Sequence, residues 1–293
     1  MCDWGERNMD GAERFVHKDL IERELAYSEA YRYLDRYVDS TVYARVRLPA
    51  KAPVKPNRTI WIFWMQGMEH APRLVRICHD SICRNKPEGY DLIVLSAENL
   101  REYIELPEYI WDKYKKGKIS TTHLSDVIRL ELLCMYGGCW IDATVFCSGP
   151  IPDYMVNREL FMFRASSMDH VVLKMSNWWI CAEKSDRLIH ATRNAIQSFW
   201  KHENSVYHYY LMHLLMSKLI DEDFACRSLF YDMPYFYNGH PHILHGKMEK
   251  EFDQEEWDII KDCSVVHKLS YKQKYLRGDI YNYYQALLDG RLI

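Results

Sequence analysis

The sequence predicts an α/β fold, and three segments support this prediction. Two short apolar stretches, "RTIWIFWMQG" and "YDLIVLS", flank the amphipathic stretch "PRLVRICHDSICRN". A strand, a helix and a strand of these lengths form a βαβ unit, which implies a parallel sheet. A third apolar run, residues 139–141, follows another helical stretch and two glycines. We therefore expect an α/β sheet in the first half of the chain.

The N-terminal part reads as a helix followed by a linker. Over residues 12–39, Tyr27, Tyr31, Leu34 and Val38 have the i, i+4, i+7, i+11 spacing of one helix face. The next stretch, "LPAKAPVKPN", has three prolines in ten residues and cannot continue a helix. We expect residues 1–50 to form a helical segment with a Pro-rich linker, and residues 51–293 to form the main domain.

The composition of the chain excludes some classes of function. The 293 residues are 48% hydrophobic and 27% charged, which is ordinary for a soluble globular protein. A net charge of −3 argues against a nucleic-acid binder that relies on a basic face. The sequence shows no apolar run long enough for a membrane span and no secretory signal, so a cytoplasmic location is expected.

The nine cysteines are predicted to be structural thiols. Their number is odd, no CxxC motif occurs, and Cys134, Cys139 and Cys181 lie in apolar surroundings. Free cysteine is a frequent small buried side chain, and a cytosolic compartment keeps it reduced. No disulfide is therefore required.

Asp142 directly follows the apolar run 139–141. The preceding stretch, "TTHLSDVIRLELLCMYGG", predicts a helix with Thr121 or Thr122 as its N-cap and the two glycines at its C-terminus. Asp142 would then lie at the C-terminal end of a buried strand, where α/β sheets open their ligand crevice. The alternative is an aspartate that caps a turn. Position alone leaves both interpretations open.

Asp126 and Arg129 are spaced i, i+3 on the same predicted helix, so they share one face. One interpretation is an exposed ion pair, which contributes little to stability. The other is a carboxylate and a guanidinium that face the crevice of Asp142. The spacing does not decide between them.

The second half is predicted to contain helices at residues 186–202 and 206–220, then a helix and a short strand that ends at His267. Neighbouring Trp178 and Trp179 should point in opposite directions, one into the core and one, with Asn177, towards a sugar. The abundance of aromatic residues, 22 Tyr and 9 Trp, also suits sugar binding.

His240, His242 and His245 form an HxHxxH pattern in an aromatic stretch. The pattern allows a zinc site. No fourth ligand of matching spacing is evident, so a loop that lines a substrate cleft is favoured.

The stretch "LSDVIRLELLCMYGGCWIDATVF" resembles the SD-x-x-R … YGG-x-W-x-D-x-[DT]-V block of the capsular polysaccharide synthesis proteins. These are sugar-nucleotide-dependent glycosyltransferases related to glycosyltransferase family 32. "IWIFWMQG", "PHILHGKMEKEF" and "SVVHKLSYK" extend the resemblance over about residues 58 to 272. The resemblance implies a GT-A-type nucleotide-diphospho-sugar transferase fold over residues 51–293, with the N-terminal helix and a helical acceptor-side region.

The resemblance also implies site roles. Asp142 would begin the DxD element, Asp126 would hold donor-sugar hydroxyls, and Arg129 would contact the phosphate or the sugar; these three form the expected catalytic set. Asp142 and His267 would hold Mn²⁺ or Mg²⁺. The implied donor-binding set is Trp64, Gln66, Asp126, Arg129, Asp142, Thr144, His267 and Lys268.

Thr144 departs from the family pattern, because many relatives have a second carboxylate at this position. One aspartate and a hydroxyl make a weaker site for a hard cation. The departure puts the strength of metal dependence in doubt.

The function implied by the resemblance is transfer of a sugar from a nucleotide-sugar, a UDP-sugar being favoured, with retention of configuration. The acceptor would be a saccharide or lipid-linked saccharide in capsular or other surface polysaccharide synthesis, which is compatible with peripheral association at the inner face of the membrane. One alternative is a catalytically inactive GT-A-like protein that binds a nucleotide or glycan. Another is a metal-dependent hydrolase that uses the histidine stretch.

Overall fold

The computed structural model describes residues 12–38, 58–166, 169–272 and 280–292, with side chains from residue 21 onward. Seven strands are assigned within these residues. They are β1 (Thr59–Phe63), β2 (Asp91–Leu95), β3 (Gly138–Ile141), β4 (Val145–Cys147), β5 (Leu160–Arg164), β6 (Met175–Ala182) and β7 (Val266–Lys268).

Eleven α-helices are assigned within the same ranges. They are α1 (Ala12–Tyr33), α2 (Arg73–Asn85), α3 (Leu100–Tyr103), α4 (Glu108–Lys115), α5 (Thr121–Tyr136), α6 (Arg187–His202), α7 (Leu211–Glu222), α8 (Phe224–Asp232), α9 (Ile243–Lys247), α10 (Gln254–Cys263) and α11 (Tyr283–Leu288). Short 3₁₀ turns add Leu34–Tyr37, Met68–His70, Asp153–Met155 and His240–His242. None of the described helices combines the length and apolar character that crossing a membrane requires.

The centre of the fold is a five-stranded sheet in the order β2-β1-β3-β6-β5. Strands β2, β1 and β3 are parallel, which confirms the predicted βαβ unit and the α/β class. Strand β6 pairs antiparallel with β3 and with β5. The sequence analysis predicts no strand at β5 or β6, so the structure adds these two strands to the predicted sheet. Strands β4 and β7 form a separate antiparallel ribbon.

The predicted N-terminal helix is present as α1, which continues into a 3₁₀ turn at Leu34–Tyr37. Tyr27 and Leu34 on the predicted face are buried, and Tyr31 and Val38 pack against the same cluster. This cluster also contains side chains of α5, α6 and α7, so α1 contributes to the main core. The Pro-rich stretch 48–57 lies outside the described residues, and the predicted division at residue 50 stays a prediction.

Helix α5 begins one residue earlier than the predicted caps allow. Its N-cap is Ser120, not Thr121 or Thr122, because the Ser120 Oγ accepts a hydrogen bond from the His123 backbone N–H at 3.2 Å. The predicted C-terminus is confirmed, since Gly137 ends the helix with φ +69°. At Gly138 a Cβ atom would lie 2.5 Å from the Thr59 carbonyl oxygen, so only glycine allows β3 to pack beside β1.

The second half differs from prediction in detail. Helix α7 begins at Leu211 rather than at residue 206, because the His208 imidazole accepts the Tyr210 N–H and holds the preceding residues in a turn. The three histidines of the aromatic stretch lie in a 3₁₀ turn, His240–His242, and in α9, while residues 233–239 before them are not helical. Strand β7 continues one residue past His267, to Lys268.

Candidate active site

Asp142 follows β3 at the C-terminal end of the parallel strands. Its backbone N–H donates to the Trp178 carbonyl at 2.8 Å, and its own carbonyl accepts from Val145 at 3.0 Å, so the chain turns here. The side chain is 24% exposed and contacts side chains from α5, β3 and β7. Asp142 is therefore more than a turn residue, because its carboxylate is the junction of three structural elements.

Arg129 lies between two carboxylates. Its Nη1 is 2.7 Å from Asp126 Oδ1, and its Nη2 is 2.9 Å from Asp142 Oδ1. The Arg129 side chain is 4% exposed and that of Asp126 is 7% exposed. The exposed-pair interpretation is therefore wrong, because both groups are buried, where removal of one partner is costly.

Two further side chains hold these carboxylates. Trp140 Nε1 donates to Asp142 Oδ1 at 2.9 Å, and the Arg129 guanidinium lies 4.8 Å from the centre of the Trp140 ring. Asn177 Nδ2 donates to Asp126 Oδ1 at 3.0 Å, so Asn177 contacts the network. Trp140 is absent from the predicted set. Its position two residues before Asp142 on a strand, and so on the same face, is the signal that indicates it.

Lys268 reaches the site from β7. Its Nζ is 3.1 Å from Asp142 Oδ2 and 2.5 Å from Thr144 Oγ1. The pairing of Val145 with Lys268 in the β4–β7 ribbon sets this position. The Leu269 N–H also donates to the Thr144 carbonyl at 2.9 Å, so the backbone around Lys268 is tied to the residues that follow Asp142.

The two aspartates differ in their affinity for a proton. Burial opposes ionisation of Asp142, but the charges of Lys268 and Arg129 hold its pKa below the ordinary value. Burial raises the pKa of Asp126, and Arg129 offsets this only in part. The crevice therefore holds one firmly ionised carboxylate beside one that protonates more readily.

His267 is not brought to the Asp142 carboxylate. Its ring packs between Phe146 and Trp257, with ring centroids 6.0 and 5.3 Å away, and its Nε2 is 2.9 Å from Ser148 Oγ. Neighbouring residues on a strand point to opposite faces, so the Lys268 contact turns His267 away from the site. Burial lowers the pKa of His267 to about 3. This placement gives no support to His267 as a ligand of a shared metal.

Trp64 and Gln66 follow β1, whose Trp61 is in register with Trp140 of β3. They therefore lie at the same end of the sheet as Asp142. Gln66 is exposed, and Trp64 is partly buried with its ring edge-to-face against Tyr271 at 4.9 Å.

Tyr209, which the sequence does not single out, lies beside α5, because its carbonyl oxygen is 3.1 Å from His123 Nε2. Burial raises the pKa of the Tyr209 phenol, and the charges of Asp126 and Asp142 raise it further. The Tyr209 side chain is still 55% exposed, so it is accessible to a ligand.

One other sequence expectation is not met, and the zinc alternative for the histidine stretch gains no support. Trp178 and Trp179 are both buried, at 4% and 0% exposure, and their N–H groups bond to Asn238 and Met155, so neither faces a sugar. The three histidines of the aromatic stretch do not converge. Within the described ranges no group of three His, Cys, Asp or Glu side chains is placed to hold a metal ion.

The contacts of the Asp142 carboxylate show whether a divalent cation could bind there. One oxygen of this carboxylate accepts from Arg129 and Trp140, and the other is beside the Lys268 ammonium, which also binds the Thr144 hydroxyl. A hard cation requires several free oxygen ligands. This donor set does not fit one, so it gives no support to the expected dependence on Mn²⁺ or Mg²⁺.

The fold and the site define an α/β protein with a buried Asp–Arg–Asp network at the end of a parallel strand. The family model described as "Capsular polysaccharide synthesis protein" matches residues 15–287, and the chain belongs to this family.

Three curated relatives are named glycosyltransferases. The O-glycosyltransferase braB of Annulohypoxylon truncatum is 31% identical over 133 residues, 43% of this chain and 31% of that protein. The glycosyltransferase afumC of Aspergillus fumigatus is 24% identical over 181 residues, 56% of this chain and 46% of that protein. The O-glycosyltransferase PaGT of Phomopsis amygdali is 22% identical over 191 residues, 59% of this chain and 46% of that protein. The chain thus spans less than half the length of these relatives.

A solved structure, that of the PaToxG glycosyltransferase, is similar to 72% of this chain and 85% of its own, with 13% identity and a TM-score of 0.39. A likeness of this size carries no information on substrate.

Proposed function

We propose that the protein is a glycosyltransferase that moves a sugar from a nucleotide-sugar donor onto an acceptor hydroxyl. The observation that carries the proposal is the buried network of Asp126, Arg129 and Asp142, which Lys268 completes at the C-terminal end of β3. Family membership and the names of the relatives support the same reaction class, and two of these names specify transfer to oxygen.

The chemistry of the site suits departure of a diphosphate. As the bond from the sugar to the diphosphate breaks, negative charge grows on the leaving oxygen, and fixed positive groups stabilise it without reorganisation. Arg129 and Lys268 are such groups, and each is held by a carboxylate. Asp126 and Asn177 offer a carboxylate and an amide for the hydroxyls of the donor sugar.

The finer assignments form part of the proposal. A UDP-sugar donor and retention of configuration follow from the family resemblance, and retention needs no separate general base because the leaving diphosphate can accept the acceptor's proton. A saccharide or lipid-linked saccharide is the proposed acceptor, in capsular or other surface polysaccharide synthesis. A cytoplasmic location, with peripheral contact to the inner face of a membrane, fits such an acceptor.

The test is release of free nucleotide from a panel of UDP-, GDP- and CMP-sugars, with and without simple saccharide acceptors. We expect release from one nucleotide class, and a loss of about 100-fold or more in Asp142→Asn. Asp258→Asn is the matched control, because Asp258 also pairs with a lysine at 2.9 Å but lies exposed on α10.

Two results would count against transfer. Equal release by wild type and a folded Asp142→Asn variant would remove Asp142 from the reaction. Binding of a nucleotide-sugar without any release would favour the alternative, a binding protein that has lost transfer.

A further inference from the structure

We propose that the Lys268 ammonium takes the place of the divalent cation in this site, so that sugar transfer requires no bound metal. The inference rests on the proposed function and deepens it, because it assigns the group that neutralises the donor diphosphate.

Lys268 occupies the space beside the D-x-T element. Its Nζ contacts Asp142 Oδ2 at 3.1 Å and Thr144 Oγ1 at 2.5 Å. Asp142 and Thr144 are the first and third residues of this element, and many relatives have a second carboxylate at the position of Thr144. The ammonium thus lies against the Asp142 carboxylate, which was the expected ligand of a cation.

Few oxygen ligands are free to bind a cation at Asp142. The other oxygen of Asp142, Oδ1, already accepts hydrogen bonds from Arg129 and Trp140, both at 2.9 Å. Thr144 supplies a neutral hydroxyl where a second carboxylate would otherwise strengthen metal binding. A divalent ion at Asp142 would also lie close to two positive side chains, which repel it.

Lys268 is both anchored and accessible. The register of β4 with β7 and the hydrogen bond from Leu269 to Thr144 hold its backbone. Its side chain nevertheless keeps 20% exposure. An ammonium has three donors, and two of them serve Asp142 and Thr144. The third can bond to a phosphate oxygen of a donor in the crevice.

The reaction balances without a metal. The bond between the sugar's anomeric carbon and the diphosphate oxygen breaks, and its electron pair stays on the diphosphate. A new bond forms from the anomeric carbon to the acceptor oxygen, and the acceptor's proton passes to the leaving diphosphate. Lys268 keeps its charge throughout and stabilises the leaving group by a hydrogen bond.

The experiment measures UDP binding by calorimetry and nucleotide release from a UDP-sugar, each with excess EDTA and with added Mn²⁺. We expect the wild type to bind UDP and to turn over equally in both conditions. Lys268→Met should lower turnover by about 100-fold or more, as loss of a transition-state charge contact does. Lys268→Arg, which keeps the charge, should retain more activity than Lys268→Met.

Lys261→Met is the matched control, because Lys261 pairs with Asp258 at 2.9 Å on α10 and should behave as wild type. If the wild type binds UDP or turns over only with Mn²⁺, the inference is overturned and the proposed function stands. If no donor of the UDP-, GDP- and CMP-sugar panel is cleaved in either condition, the proposed function fails and the inference fails with it. The wild-type comparison needs no variant, so a misfolded Lys268→Met protein would leave the test intact.

Discussion

Arg129 Nη2 lies 2.9 Å from Asp142 Oδ1, so a single guanidinium joins helix α5 to the residue that follows β3. The same guanidinium holds Asp126 at 2.7 Å. The site is therefore also part of the protein's interior, and substitutions in it are expected to affect stability and activity together.

Arg129→Met should destabilise the protein by about 3–5 kcal/mol, because it leaves the buried Asp126 carboxylate and the partly buried Asp142 carboxylate without their common cation. Urea unfolding measures the change. Arg129→Lys should lose less stability than Arg129→Met, since an ammonium can still neutralise one carboxylate. Exposed Arg84 on α2 is the control, and Arg84→Met should stay within about 0.5 kcal/mol of wild type. A fully stable Arg129→Met protein would contradict the buried network.

Trp140→Phe keeps an aromatic ring beside Arg129 but removes the N–H that bonds to Asp142. A hydrogen bond to an ionised carboxylate lowers its pKa, so the pKa of Asp142 should rise in the variant. The acidic limb of the pH–rate profile should shift to higher pH. Trp179→Phe is the control, because it loses an equivalent bond, to the Met155 carbonyl at 2.9 Å, away from Asp142. An identical shift in both variants would show that the effect is only structural.

His267→Phe should make the protein less sensitive to acid. Burial lowers the pKa of His267 to about 3 in the folded state, whereas the unfolded chain takes up a proton near the ordinary value. The wild type therefore loses stability as the pH falls from about 6.5 towards 3, by up to about 1.4 kcal/mol per pH unit from this histidine.

The measurement is the free energy of unfolding between pH 7 and pH 4. His213, His242 and His245 also have lowered pKa values through burial, so the variant should show a reduced slope rather than none. Exposed His240 is the control, and His240→Phe should keep the wild-type slope. If stability falls with pH equally steeply in His267→Phe and in the wild type, the lowered pKa of His267 is refuted. The response of activity to added metal should be the same in His267→Phe and in the wild type.

Reductant should leave the melting temperature unchanged. Eight cysteines in the described residues are free, and six of them are buried. They act as small apolar side chains in this structure, and reduction has no bond among them to break. Thermal unfolding with and without dithiothreitol provides the measurement. A marked fall with reductant would reveal a disulfide and contradict the structural-thiol prediction.

Local patterns predicted most of the first half of the chain. The apolar runs of β1, β2 and β3 and the helices α2 and α5 are recognisable because each pattern lies within one short segment. Antiparallel β6 and β5 were not predicted, since pairing with β3 depends on contacts between distant parts of the chain.

Asp126, Arg129 and Asp142 were named together because the family resemblance implies a site role for each, whereas their spacing and position alone left both interpretations open. The burial of Asp126 and Arg129 could not be predicted, because their i, i+3 spacing is the same on an exposed helix face and on a buried one. Trp140 and Tyr209 could not be predicted as site residues either, since an aromatic side chain in a strand or turn is most often part of the core.

The sequence by itself determined the α/β class, the glycine turn before β3 and the position of Asp142 at the strand end. Only the tertiary structure decided which residue of the His267–Lys268 pair reaches Asp142. Lys268 bonds to Thr144 across 124 residues of chain, and the register of β7 with β4 sets that contact. Because side chains alternate along a strand, a register that directs Lys268 to the crevice must bury His267 on the opposite face.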